Sequence, residues 1–220
     1  MTPQTVVHTI PASAVNPDAG SHPVTADPRE IDAARRAAEA SLREFPYFRA
    51  RFGDRALAFG ASDGGWLATL CDAGAERART EVLWLGRVLA SRGMPRLLLE
   101  RHLELLHDEL ARAVPERAER YRVLRDVAAH LRELRRARLS DAELAELSAA
   151  FDARVGPALA ERVPAMGAVL AAAAADEADG LAGAVRSVEE WAADPDAFGS
   201  RWVEAVRATV AEARARLRPG

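Results

Sequence analysis

The chain has no lysine: all 30 of its basic residues are arginine. That absence removes Schiff-base chemistry, which needs a lysine amine, and a P-loop, whose GxxxxGK[ST] motif sets a lysine against phosphates. The bias reads as a preference for GC-rich codons rather than as chemistry. Arginine still suits bidentate ion pairs on helix surfaces. Cysteine occurs once, at Cys71. One thiol excludes a disulfide within the chain, CxxC redox chemistry and a cysteine-rich zinc site. Cys71 lies in the apolar run WLATLCDAG and reads as a small core residue. Long apolar runs are missing too: no window approaches the roughly 18 apolar residues of a membrane span. The N-terminus has neither a basic start nor an uninterrupted apolar stretch, so it does not read as a signal peptide. The expectation is a cytoplasmic protein that meets no membrane. The formal net charge of −3 gives no overall attraction for nucleic acid. Five scattered histidines imply no serine–histidine–acid set.

Strand signals are also scarce. No stretch alternates β-branched with polar residues, and the Asp63-Gly64 pair opens a helix rather than a hairpin. What is present is helical punctuation around a 49% apolar composition, enough for a core without staples. Residues 1–26, with four prolines and many small polar residues, are expected to be a disordered tail. Order begins at DPRE, where Asp27 caps, Pro28 takes the first helical position and Glu30 closes a capping box. Five of the eight Phe and Tyr residues fall within 45–59, a broken segment that fills the core with aromatics. Ser62 or Asp63 then caps a short helix. Another helix starts near Ala75 and stops at Gly93, and Pro95 opens the next. Pro115 marks a joint. The following helix carries Tyr121, Leu124, Ala128, Leu131 and Leu134 as its apolar stripe. Ser140 with Glu143, and Ser187 with Glu190, form further capping boxes, and Asp194-Pro195 caps the last helix. The Ala-rich run at 168–184 either packs closely on another helix or is the softest part of the fold. The result is an all-α protein, a single helical bundle or a globin-like helical sandwich of about seven to nine helices. A helical domain over 27–218 follows the tail, with a soft sub-boundary near 139.

The stretch LLLERHLELLHDEL at 97–110 carries the sharpest chemical question. Glu100, Glu104 and His107 sit at i, i+4 and i+7, on one strip of a helix. Glu104-x-x-His107 has the spacing of carboxylate-bridged di-metal proteins, and Asp126 and His130 add a carboxylate and a histidine on the following helix. This gives one alternative, a heme-oxygenase-like di-metal oxidase or oxygenase holding two iron or manganese ions. Such a site needs some six inward ligands. A tight turn at Pro115 would leave His107 and His130 about 10 Å out of step at 1.5 Å per residue. The strip lies at the flank of the stripe Leu99, Leu103, Leu106 and Leu110, so the plainer reading is a solvated helix face. His102, on the other flank, reads as half-buried and satisfied by a neighbour. The basic run at 132–138 complements a helix C-terminus. Trp66, Trp84, Trp191 and Trp202 read as core anchors, and Phe59, Trp66, Trp84 and Leu89 as the lining of a ligand pocket.

The segment WLGRVLASRGMPRLLLERHLELL resembles sensor globins and protoglobins, whose corresponding stretch runs, in outline, Arg-Ile-Gly-Arg-Val-His, then Gly-Leu and Pro before another helix. Gly86, Arg87 and Val88 match in order, followed by Gly93 and Pro95, and the resemblance covers about 30 residues, around 81–110. The heme-binding histidine of that family falls on Leu89, which cannot ligate iron. The resemblance therefore implies a globin-like sandwich of non-heme type, used as a sensory or interaction module without catalysis. Such a sensor would place a tetrapyrrole or fatty-acid pocket near Trp84 and Leu89. With no complete catalytic constellation, the leading expectation is a non-enzymatic sensory or protein-interaction domain. It would bind a protein partner, a second copy of itself, or a small hydrophobic ligand between helices.

Overall fold

The computed structural model describes residues 8–218. The chain is all-α, with a small hairpin at its start. Strands β1 (Thr9–Pro11) and β2 (Pro23–Thr25) precede helices α1 (Pro28–Glu44), α2 (Tyr47–Phe52), α3 (Arg55–Leu70), α4 (Ala75–Ser91), α5 (Arg96–Ala113) and α6 (Ala118–Arg138). Then come α7 (Asp141–Val155), α8 (Pro157–Ala160), α9 (Met166–Ala178), α10 (Ala184–Ala192), α11 (Pro195–Phe198) and α12 (Ser200–Arg216). No helix among the described residues is long and apolar enough to cross a membrane.

The tail expected over 1–26 is ordered from residue 8 onward. β1 and β2 pair antiparallel with Ile10 opposite Val24, and Ala12 and Val24 are fully buried. Residues 1–7 lie outside the described residues. Each strand has only three residues, too few to show a period-2 pattern in the sequence. It is anchored by Glu30 at the start of α1, which is 1% exposed. Glu30 does not close a capping box. Its carboxylate accepts from Thr25 Oγ1, from Tyr121 Oη at 2.5 Å and from Arg117 Nη1 at 2.6 Å. Asp27 does cap α1, accepting from the Arg29 amide at 2.9 Å.

Small residues decide how closely the first helices pack. A Cβ added at Gly64 of α3 would lie 2.9 Å from Ala34 Cβ of α1, so the two backbones approach to a distance only glycine permits there. This is why α3 runs unbroken through GASDGG, where a new short helix was expected. Tertiary contact outweighs the weak helix propensity of its glycines. α5 lies between α1 and α6, and Leu99, Leu103, Leu106 and Leu110 are buried as the stripe predicts.

Two apolar cores result. One gathers α1, α3, α4, α5 and α6 around Leu67, Leu103, Leu106 and Tyr121. The other gathers residues from Leu139 onward, with Tyr47, around Phe151, Leu170 and Trp202. The Ala-rich run is the buried centre of this second core. A Cβ at Gly167 of α9 would meet Phe151 Cβ of α7 at 2.7 Å. The Ser140–Glu143 capping box forms as read from the sequence, whereas Ser187 lies inside α10, which begins at Ala184. Asp194 caps the short α11 rather than the last helix.

The cores are joined by a buried ion network. Arg96, at the first turn of α5, gives its backbone N–H and its Nε to the two oxygens of Asp176 on α9, each at 2.8 Å. Its Nη2 reaches Asp179 at 2.8 Å, and Arg138 of α6 also contacts Asp179 at 3.1 Å.

Candidate functional site: a polar pair in an apolar cavity

Between α1, α2, α3, α4 and α5 lies a partly enclosed cavity of about 70 Å³. One water needs roughly 10–15 Å³ of such space, so this is room for a small molecule or for the end of a longer one. The walls are apolar: Leu42, Leu67, Leu85 and Leu99 are buried around it, and Leu89, Met94 and Leu98 complete much of the rest. Phe45 and Leu98 also pack against the second core, while Leu67, Leu85, Leu89 and Leu99 belong to the first. The cavity is therefore the place where the two cores share a wall.

Three polar side chains border it: Ser41, Asp63 and His102. Ser41 Oγ lies 3.0 Å from the Ala37 carbonyl and 2.9 Å from His102 Nδ1. A carbonyl only accepts, so the hydroxyl proton goes to Ala37, and Nδ1 of His102 supplies the proton of the other bond. That leaves Nε2 as the lone-pair nitrogen, and it is buried with no hydrogen-bond partner. Burial pulls the imidazole down to about 4, so the ring is neutral at ordinary pH.

Asp63 sits in the middle of α3 and accepts no hydrogen bond among the described residues. Burial pushes its carboxyl up to about 6, and the positive charge of Arg92 at the end of α4 partly opposes that rise. Near pH 7 the cavity thus holds an ionised carboxylate and a neutral imidazole lone pair, both acceptors. Two titratable groups displaced in opposite directions in one cavity mark a candidate functional site on physical grounds. Among the described residues, neither Ser41 nor Cys71 is an activated nucleophile. Ser41 gives its proton away from the histidine, and burial raises the thiol of Cys71, so it stays protonated.

Of the pocket residues read from the sequence, Leu89 lines this cavity. Trp66 packs half-buried on the first core, Phe59 lies under the Arg55 guanidinium, and Trp84 is 56% exposed rather than a core anchor; none of the three is among the cavity's lining residues. A single exposed tryptophan needs no special explanation. Asp63 and Ser41 were missed. The available signal was a carboxylate placed in mid-helix within an apolar, glycine-rich run.

The strip Glu100, Glu104, His107 with Asp126 and His130 is dispersed. Glu100, 4% exposed, accepts from Arg132 Nε at 2.8 Å and from Arg135 Nε at 3.1 Å. Glu104 pairs with Arg101 at 2.6 Å and with Arg132. His107, 9% exposed, contacts Asp108 at 2.9 Å and shares a surface cleft with Asp126. His130 meets Arg79 at 3.1 Å instead. Among the described residues, no group of three or more His, Cys, Asp or Glu side chains is arranged to hold a metal ion. The strip is not the wet side of a helix either. It faces the arginines of α6, and the basic run at 132–138 is spent on these pairs and on Asp141 and Asp179.

Compared with protein-family models, curated proteins and solved structures, the chain matches none.

Proposed function

We propose that this chain is a non-catalytic helical sensory module that takes a small, mainly apolar ligand into the cavity between α1, α3, α4 and α5. The observation that carries the reading is the position of that cavity: its walls are shared between two cores, so occupancy is felt by both. Leu98 and Phe45 face the second core, and Arg96, two residues before Leu98, holds Asp176 and Asp179 across the joint. A ligand that moves the start of α5 therefore moves the ion network as well. Small-molecule sites characteristically lie between helices or at such joints, apolar with a few placed polar groups.

The non-heme globin-like sensor is a second reading, favoured by one observation: Leu89, which falls on the family's heme-ligand position, lines the cavity. Both readings put an apolar guest at Leu89.

The test is titration of the full chain with xenon and short alkanes, followed by the methyl signals of Leu89, Met94 and Leu98. Saturable shifts at these methyls, abolished by Leu89→Phe in a protein that still unfolds cooperatively, are expected. Methyl signals unmoved by every apolar guest would overturn the proposal.

A further inference from the structure

The cavity's polar groups all offer the same thing. Nε2 of His102 presents a lone pair, because Ser41 holds the proton on Nδ1. Asp63, half-buried in the cavity wall, accepts no hydrogen bond from the described residues. Ser41 has committed its one proton to Ala37. A buried acceptor without a donor, as Nε2 is, loses the hydrogen bonds water would give it, and a half-buried carboxylate beside it has its charge only partly compensated. A ligand that brings donors restores those bonds. A ligand that brings only acceptors, or a negative charge, adds to the deficit.

Building on the ligand-binding reading above, we infer that the cavity is specific for small amphipathic amines: an apolar body seated among Leu85, Leu89, Leu98 and Leu99, with an ammonium head that donates to Asp63 and His102. The amine is preferred over a neutral alcohol because its charge compensates the carboxylate. Arg92, the other charged group bearing on Asp63, lies exposed at the end of α4 and makes no hydrogen bond to it. The cavity volume limits the buried part to a few carbons, and a longer body leaves through the open side.

The pairing also sets a pH dependence. Asp63, with its carboxyl raised to about 6, is ionised above that value and neutral below it. His102, held near 4, stays neutral across the same range. An alkylamine has its own proton throughout, since such amines titrate near 10. Amine affinity therefore falls as the pH drops through about 6, while alkane affinity does not change.

The experiment uses the full chain and four guests of similar length: n-butylamine, 1-butanol, n-pentane and butyrate. Dissociation constants are read from the Met94 and Leu98 methyl shifts at pH 7.5 and pH 5. Butylamine is expected to bind at least tenfold tighter than pentane or butyrate at pH 7.5, and to lose most of that advantage at pH 5. Asp63→Asn, which preserves shape, should abolish the preference while pentane still binds. Ring nitrogen shifts should report a protonated Nδ1 on His102 and a change at Nε2 on adding amine. If pentane and xenon bind but butylamine is no tighter, the amine inference is overturned and the ligand-binding reading stands. If no guest binds, both fall.

Discussion

His102 on α5 donates from Nδ1 to Ser41 on α1 at 2.9 Å, across 61 residues of chain, and Ser41 passes its own proton to Ala37. This short relay fixes the tautomer of a histidine whose other nitrogen faces no donor. Evolution would find apolar replacements for such a residue easily, because an unsatisfied buried acceptor costs roughly 1–3 kcal/mol. Function at the expense of stability is the usual reason such groups persist.

The stability profile with pH tests this directly. His102 has a folded value near 4 against 6.5 for the ordinary group, so its contribution is lost as the pH falls from about 6.5 to 4. Asp63 has a folded value near 6 against 3.8, so its burial penalty is absent below about 4 and fully present above 6. Each displacement amounts to about 3 kcal/mol, and between pH 4 and 6 the two slopes oppose one another. Asp63→Asn should therefore be more stable than the wild type at pH 7.5 and lose that advantage on acidification. His102→Gln should gain stability relative to the wild type as the pH falls from 6 to 4. Urea denaturation across pH measures both differences. Variant profiles running parallel to the wild type would show that neither group is perturbed as described.

The N-terminal hairpin makes a second prediction. Thr25 binds Glu30, and Val24 packs on Gly65 of α3, where an added Cβ would meet it at 3.2 Å. Removing residues 1–26 should uncover that face and lower stability by about 2–4 kcal/mol, the range for losing buried aliphatic side chains. Thermal unfolding of the truncation against the full chain decides the matter, at roughly 2–4 °C per kcal/mol for a chain of this size. Equal midpoints would mean that the hairpin contributes nothing.

The all-α class, the leucine stripe of α5 and the Ser140 capping box were legible because each rests on local periodicity or on residues three apart. What the sequence could not supply is pairing at a distance. Glu100 and Glu104 read as solvated or metal-binding because nothing in α5 announces that Arg132 and Arg135, some 30 residues later, will cover them. Asp63 read as a cap because GASDGG looks like a breaker until Ala34 and Ala38 of α1 are placed against it. Ser41 and His102 are 61 residues apart, and no spacing rule joins them.

Glu100 separates the metal alternative from the ion-pair description. Its carboxylate holds Arg135, whose side chain is 7% exposed, at 3.1 Å. Glu100→Ala leaves that guanidinium buried without its main partner, and a loss of about 3–5 kcal/mol is expected. Elemental analysis of the purified wild type should find no stoichiometric iron or manganese. Two ions per chain, lost in Glu104→Ala and His107→Ala, would instead restore the di-metal oxidase reading.

The Arg96–Asp176 pair tests whether the cores communicate. Asp176 is 2% exposed and carries both the backbone N–H and the side chain of Arg96. Burial raises its carboxyl, and Arg96 pulls against that rise, so the pair depends on staying intact. Asp176→Ala should cost about 3–5 kcal/mol, because a buried arginine loses its counter-charge. Asp176→Leu combined with Arg96→Met should cost less, since apolar replacement of a whole buried pair is often neutral or stabilising. The double variant keeps the fold while removing the charged link from α5 to α9. If the cavity signals through that link, xenon should still shift Leu89 and Met94 in the double variant but no longer shift methyls of the second core, such as Val169 and Leu170. Shifts reaching those methyls undiminished would place the coupling in the apolar wall of Phe45 and Leu98 instead.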